Sequence, residues 1–361
     1  MTHDTAGAPS SDPQSWKAGT RVVVRYSLTS GGLSDALGTV TANSAEALTV
    51  HTRSGDISVP HTSIVLGHEV PPAPERRGAA HRALGPSGLQ RIFAATWRPR
   101  ESAWLHADNV RQELAGAEGE ADESGETRER GWLLRAAGGY TSRANSALAL
   151  DDPGMPPGPT IEAVSRWYSE RSLTPAVCVF AVQGEVHPAE AALDEAGWQS
   201  AKPTVAMTAA SIEVAGGAIR PADLQSPDWA CVLSDEPSDD FYAGLGHPTA
   251  EGRPTPLHEL LTCAPQQMFL TVSSVANGQP AGIARLAISQ RWAVLSDVNV
   301  NPVIRRGGVG TLMVRLLAAH AYQQGFRSLA LQVEEQNEAA LRAYQNLGFT
   351  EHHRYHYRVK R

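Results

Sequence analysis

Apolar and polar residues alternate at period two in three short runs near the start of the chain: Val22-Val24-Tyr26, Leu48-Val50 and Ile57-Val59. That period marks strands with one buried face, and Ser54-Gly55 sits where a hairpin would turn. Residues 16–70 are therefore expected to form a small SH3-like β-barrel. A proline-motif reader needs a groove lined by several aromatics, and only Trp16 and Tyr26 are at hand. A packing or spacer module and a partner-binding module both remain open for it. Residues 1–15, small and polar, read as a disordered leader with no apolar signal segment. Pro71-Pro72-Ala73-Pro74 opens a linker over residues 71–86. Ala117 to Arg130, rich in Glu and Gly, reads as a mobile acidic surface loop.

Toward the C terminus the period changes. A hairpin is expected between Phe269–Val272 and Ile283–Ile288, turning at Asn277-Gly278. A strand follows, ending Val298-Asn299-Val300-Asn301-Pro302, and then a helix from Thr311 to Gln324 with Leu312, Leu316 and Ala319 on one face. Gly325 stops that helix, and Leu329 to Val333 is again strand-like. Asn337 is placed to cap a second helix, Glu338 to Asn346, which carries Ala340 and Tyr344. Leu347-Gly348-Phe349 then leads into a final polar-aromatic strand.

The same order occurs earlier. Shifted by about 151 residues, Gly197-Trp198 falls on Gly348-Phe349, and Ala147 to Leu150 falls on Val298 to Asn301. Ile161 to Arg171 covers the first helix, Ala176 to Val182 the strand after it, and Ala189 to Ala196 the helix carrying Tyr344. The expected architecture is thus mixed α/β (α+β): the small barrel, a first repeat over 87–210 and a second over 211–361.

The chemistry sits in the second repeat. Arg305-Arg306-Gly307-Gly308-Val309-Gly310 joins strand to helix, and such a turn aims unpaired backbone N–H groups and the positive helix end at one point. A pyrophosphate suits that point. The first repeat has Asp151-Asp152-Pro153-Gly154-Met155-Pro156-Pro157-Gly158-Pro159 there instead. Prolines donate no N–H and the aspartates repel anions. Opposite Tyr344 it has Leu193, which cannot transfer a proton. The first repeat reads as degenerate.

Composition narrows the classes further. The 361 residues are 42% hydrophobic and 19% charged, as in a soluble globular protein of two or three domains. No apolar run is long enough to span a membrane. A net charge of −7 argues against nucleic-acid binding despite the basic end Arg358-Val359-Lys360-Arg361. Three cysteines, with no C-x-x-C pair, argue against a disulfide framework or a metal site and for a cytoplasmic setting.

The order V-x-V-x-P, R-x-x-G-x-G, Asn, then Tyr-x-x-x-Gly-Phe over residues 292–350 resembles the GNAT superfamily of N-acetyltransferases. A barrel followed by tandem copies resembles an actinobacterial group often labelled N-acetylglutamate synthases, through Gly19 to Tyr26, Gly131 to Arg135 and Arg143-Ala144-Asn145-Ser146. The resemblance implies acetyl-CoA as cosubstrate, without a metal, and an amine acceptor such as glutamate. It implies cofactor contacts from Val298, Val300, Arg305, Arg306, Gly307, Gly308, Val309, Gly310, Thr311, Asn337 and Tyr344, with Tyr344 as general acid. Asn337 can also be a pure helix cap, and Tyr344 a packing residue. Asp297, then Glu334 and Glu335, are the candidate bases, and a bulge in the strand of Asp297 would break its alternation. Arg285 either faces water or clamps a substrate carboxylate, and Tyr140, Arg143 and Asn145 either line a shared cleft or face solvent. Protein acetylation through a docking barrel and non-catalytic acetyl-CoA sensing are the alternatives to small-molecule transfer.

Overall fold

The structure is a computed structural model that describes residues 12–28, 31–52, 55–70, 80–108, 129–181, 185–224, 226–247 and 255–360. They belong to two compact units, Met1–Arg77 and Gly78–Arg361. Most of the expected leader (1–11), linker (71–79) and acidic loop (117–128), and Ser54 of the hairpin, lie outside the described residues. The described part of the leader includes a 3-10 turn, Pro13–Ser15, and the described part of the linker includes another, Ala80–Arg82.

In the first unit β1 (Arg21–Ser27), β2 (Leu33–Asn43), β3 (Ala47–Thr52), β4 (Gly55–Pro60) and β5 (Ile64–Glu69) pair antiparallel in the order β4-β3-β2-β1-β5. The alternation read from sequence buries Val22, Val24, Leu48, Val50 and Val59 on one face. No closed barrel is found among the described residues: β4 and β5 are the two edges, and no pairing joins them. Trp16 is a core residue, only 2% exposed, so it is no groove-lining aromatic. A Cβ at Gly67 would lie 2.6 Å from the Trp16 ring, which explains the glycine there.

The second unit is built on one eleven-stranded sheet. Its strands are β6 (Glu101–Leu105), β7 (Trp132–Ala136), β8 (Ala147–Ala149), β9 (Ala176–Phe180), β10 (Gln199–Ala210), β11 (Trp229–Ser234), β12 (Gln266–Ser274), β13 (Pro280–Ser289), β14 (Trp292–Val300), β15 (Ser328–Glu334) and β16 (Thr350–Val359). The helices are α1 (Pro86–Ala95), α2 (Pro157–Ser169), α3 (Glu190–Glu195), α4 (Ser211–Val214), α5 (Asp239–Gly244), α6 (Thr255–Leu261), α7 (Val309–Gln323) and α8 (Glu338–Asn346). In the order β11-β12-β13-β14-β15-β10-β16-β9-β8-β7-β6 the two sides match around the central β10–β16 pair, apart from the extra edge strand β11. Under the 151-residue shift β7, β8, β9 and β10 correspond to β13, β14, β15 and β16, and α2 and α3 to α7 and α8.

The last strand of each repeat completes the other's side of the sheet. β10 pairs with β15 from Thr204↔Glu334 to Ala210↔Ser328, while β16 pairs with β9 from Tyr355↔Phe180 to Val359↔Ala176. Segments 87–210 and 211–361 therefore share one sheet within one compact unit. Met313, Leu317 and Ala318 of α7 pack on one face with Leu270, Leu286 and Leu331. Phe241, Tyr242, Leu257 and Leu261 of α5 and α6 cover the other, against Phe269 and Ile283.

A chain of directional hydrogen bonds ties α1 to β16. The Leu84 carbonyl only accepts, so His352 Nε2, 2.6 Å away, carries the proton. His352 Nδ1 then accepts from His353 Nδ1 at 2.8 Å, and His353 Nε2 accepts from Gln90 Nε2 at 2.9 Å. Both rings are neutral in this arrangement. Burial first, and the His352 ring second, push His353 down to about 3. The unfolded chain takes up this proton near its ordinary pKa of about 6.5, so the stability is full above that pH and is lost as pH falls toward 3. His353→Gln should remove that loss, flattening the pH dependence of the unfolding free energy between pH 6.5 and 4.5 by up to about 1.4 kcal/mol per pH unit. Urea denaturation of both proteins across that range checks this.

Candidate active site

The site begins where β14 stops pairing. Trp292 to Leu295 run parallel to Ser328 to Leu331 of β15, and the register ends at Leu295↔Leu331. On the other side β13 pairs Arg285 with Ser296 and Ile283 with Asn299, so Asp297 and Val298 both oppose Ala284. This is the bulge that breaks strand parity, and Asp297 adopts a φ of 52° to make it. β14 turns away from β15, and a cavity of about 290 Å³ opens between them.

β14 contributes Ser296, Asp297 and Val298 to the walls, β15 contributes Gln332, Val333 and Glu334, and α8 contributes Ala340 and Tyr344 with its cap Asn337. Trp97 and Arg143 enter from the first repeat. Two of the three candidate bases, Asp297 and Glu334, thus reach the cavity. Asp297 accepts from the Ser296 hydroxyl at 2.9 Å, and Glu334 is exposed at the rim. Glu335 is drawn away into an ion pair with Arg354.

Tyr344 is half-buried and packs edge-on against Phe349, with ring centroids 5.7 Å apart. Burial pushes its phenol up to about 12. It keeps its proton at neutral pH, so it can donate one and cannot serve as a resting base. Asn337 Oδ1 accepts from Ala340 N at 3.2 Å, so it is the cap of α8 as well as part of the wall.

Beyond Val300 the strand enters the Arg/Gly turn. Asn301 caps a 3-10 turn, Pro302–Ile304, and Arg305 donates to the Val300 carbonyl at 3.3 Å. α7 begins at Val309, two residues before the expected Thr311, because Gly308 takes φ 78° and delivers the chain into the helix. Leu312 N is bonded back to Gly308 O at 3.0 Å, and the N–H groups of Val309, Gly310 and Thr311 precede that bond at the helix end. A Cβ at Gly310 would lie 3.4 Å from Val300, so glycine lets the helix end sit close to the strand. The donors and the positive helix end suit a pyrophosphate, and Arg305 and Arg306 are exposed beside them.

The substrate candidates separate. Arg285 neither faces water nor reaches the cavity: it is fully buried, donates to Leu261 O at 2.9 Å and Thr96 O at 3.0 Å, and lies over the Trp97 ring. The sheet carries helices on both faces, so a residue at either face of β13 is covered. Asn145 knits its own turn, accepting from Ala137 N and Gly139 N and donating to Thr141 O. Tyr140 stacks near His247, with its phenol pushed up to about 12 by burial and then by Asp297. Of the arginines proposed, Arg143 alone lines the cavity, its Nε donating to Gln332 Oε1 at 2.8 Å. Trp97 and Gln332 were not foreseen, although Gln332 was legible as the polar residue of an apolar strand. Among the described residues no cluster of His, Cys, Asp or Glu is placed to hold a metal ion, and no helix is long and apolar enough to cross a membrane.

A family model described as "Probable histone acetyltransferase Rv0428c C-terminal" matches residues 112–358, and the chain belongs to that family. "Probable histone acetyltransferase Rv0428c" of Mycobacterium tuberculosis is 33% identical over 170 residues, 46% of this chain and 45% of that protein. The chain thus spans about half the length of that relative. "Uncharacterized N-acetyltransferase YobR" of Bacillus subtilis is 27% identical over 64% of this chain and 90% of its own length. "[Ribosomal protein bS18]-alanine N-acetyltransferase" of Escherichia coli is 29% identical over 24% of this chain and 57% of its own.

Asn337→Ala should lower stability by about 1 kcal/mol through loss of the cap, and Asn337→Asp should retain it. Thermal denaturation of the two variants separates the cap from any contact Asn337 makes with a ligand.

Proposed function

We propose that the second unit is an acetyl-CoA-dependent N-acetyltransferase of the GNAT family, transferring acetyl directly to a primary amine. The observation that carries this is the parting of β14 from β15 at the Asp297 bulge, with Tyr344 on the wall of the gap. Two strand edges left without each other as partners suit an extended, amide-bearing arm between them. Val298 and Val300 would align that arm along β14. Gly307 to Thr311, with Arg305 or Arg306, would hold its pyrophosphate.

Acetyl-CoA supplies the activated thioester. Asp297 or Glu334 would take the proton of the acceptor amine, directly or through water. Tyr344 would give its proton to the departing thiolate, a role that suits a phenol kept neutral by burial. The first repeat would be a degenerate copy, since Leu193 stands opposite Tyr344 and is fully buried. We take the acceptor to be a small molecule; glutamate enters only through the resemblance of the whole chain to labelled relatives. The names of the M. tuberculosis and E. coli relatives favour a second reading, acetylation of a protein, with the N-terminal sheet as a docking module.

Thiol release from acetyl-CoA across glutamate, other amino acids, polyamines, aminosugars and a lysine peptide tests both readings. Tyr344→Phe should lower kcat by about 100-fold and leave acetyl-CoA affinity nearly unchanged; an unaltered rate removes Tyr344 from the chemistry. Gly308→Glu places a side chain at positive φ and a negative charge at the helix end, and should abolish acetyl-CoA binding by calorimetry. Retained affinity would overturn the pyrophosphate assignment.

A further inference from the structure

Among the described residues that line the cavity beside Tyr344, one side chain is basic. Among its lining residues Asp297 and Glu334 carry the negative charges and Arg143 the positive one. Arg143 comes from the turn Ser142–Ala144 between β7 and β8, in the first repeat, yet its side chain ends among the residues of the second. Gln332 Oε1 takes its Nε, and the Tyr355 hydroxyl is a further partner. Both partners are neutral, and a guanidinium has five N–H donors, so donors of the fork remain.

Among the described residues Arg143 forms no ion pair within 4.0 Å, unlike Arg91, Arg354 and Arg358. Burial opposes its charge, but the groups around it, Asp297 among them, more than restore it, so it stays charged. Arg135 and Arg285, fully buried where Arg143 is half-buried, also lack an ion pair, but they donate to Ser146, Leu261 and Thr96 within the packed core. Arg143 is the one of these three that faces a cavity. A half-buried guanidinium on a cavity wall, with no ion pair and unused donors, is placed to take an anionic group of a ligand.

The ligand's anion is not the cofactor's pyrophosphate. That group belongs at the Arg305-to-Gly310 turn, past the far end of β14, whereas Arg143 meets β15 at Gln332, one residue beyond the last β14–β15 pair. We infer that Arg143 is a specificity-determining residue for an acceptor amine that also carries a carboxylate, and that the first repeat supplies it to the site of the second. The charges then sort by attraction: the amine toward Asp297 and Glu334, the carboxylate toward Arg143, whose planar fork matches a carboxylate's two oxygens. A lysine side chain within a peptide lacks that second charge. This inference rests on the acetyltransferase reading and deepens it.

The test uses acceptor pairs that differ only in charge, glycine with glycinamide and glutamate with its diamide, assayed by thiol release with the full chain. In the wild type kcat/KM for the free acid should exceed that for the amide by about tenfold or more, the usual worth of a charge-assisted hydrogen bond. Arg143→Gln should erase that preference through KM while leaving the affinity for acetyl-CoA unchanged, and Arg143→Lys should recover part of it. Equal use of acid and amide by the wild type, or an unchanged preference in Arg143→Gln, overturns the inference and leaves the acetyltransferase reading standing.

A second arm needs no turnover. Calorimetry with N-acetylglycine and N-acetylglycinamide should show tighter binding of the acid to the wild type and no such difference for Arg143→Gln. If no amine releases thiol, the acetyltransferase reading fails, and this arm still decides whether Arg143 is an anion site. Binding of the acid and the amide alike would sink that too.

Discussion

The site depends on one interruption of backbone pairing. A strand inside a sheet normally satisfies its N–H and C=O groups on both sides. β14 does so with β15 only as far as Leu295. The bulge at Asp297 and Val298 then rotates the strand, at the cost of a positive φ on a non-glycine residue. That conformation persists because β13 resumes its pairing at Asn299 on one side, and because β15 is held on its far side by β10. The strain is kept in place by neighbours that cannot follow it. What results is a gap with backbone on two walls, a carboxylate at its bend and Tyr344 on the side.

The exchange of last strands binds the two repeats into one sheet. β10 lies between β15 and β16, and β16 lies between β10 and β9. Removing the first repeat would strip β15 of β10 along Thr204 to Ala210, beside the cavity wall at Gln332 to Glu334. Trp97 and Arg143 would go with it. Arg285 adds a second tie, since it reaches from β13 to Thr96 at the end of α1 and to Leu261 at the end of α6. The first repeat, which has Leu193 where the second has Tyr344, is therefore structurally tied to the cavity of the second.

Much of this organisation was legible from sequence. The two helices after the Arg/Gly turn, the Asn277-Gly278 hairpin and the cap at Asn337 rest on local periodicity and turn chemistry, and each is present, the first helix starting two residues early. What failed was nonlocal. Alternation identifies β1 to β5 as strands but cannot tell whether β4 meets β5, because closure is set by pairing between distant edges. Arg285 reads as a solvent-facing interruption only if one face of β13 is bare, and neither is. Trp97 carries no local mark of a site: it reaches the cavity because α1 is fastened to β16 through Gln90 and His353, residues 263 positions apart.

Enclosure gives the cavity its chemical character as well as its shape. Burial raises the Tyr344 phenol and so preserves a proton for donation. The same withdrawal from water opposes the Arg143 guanidinium, but the groups around it, Asp297 among them, more than offset this and keep it charged. These effects have opposite signs for the two groups but one origin, the low-dielectric gap left where β14 departs from β15.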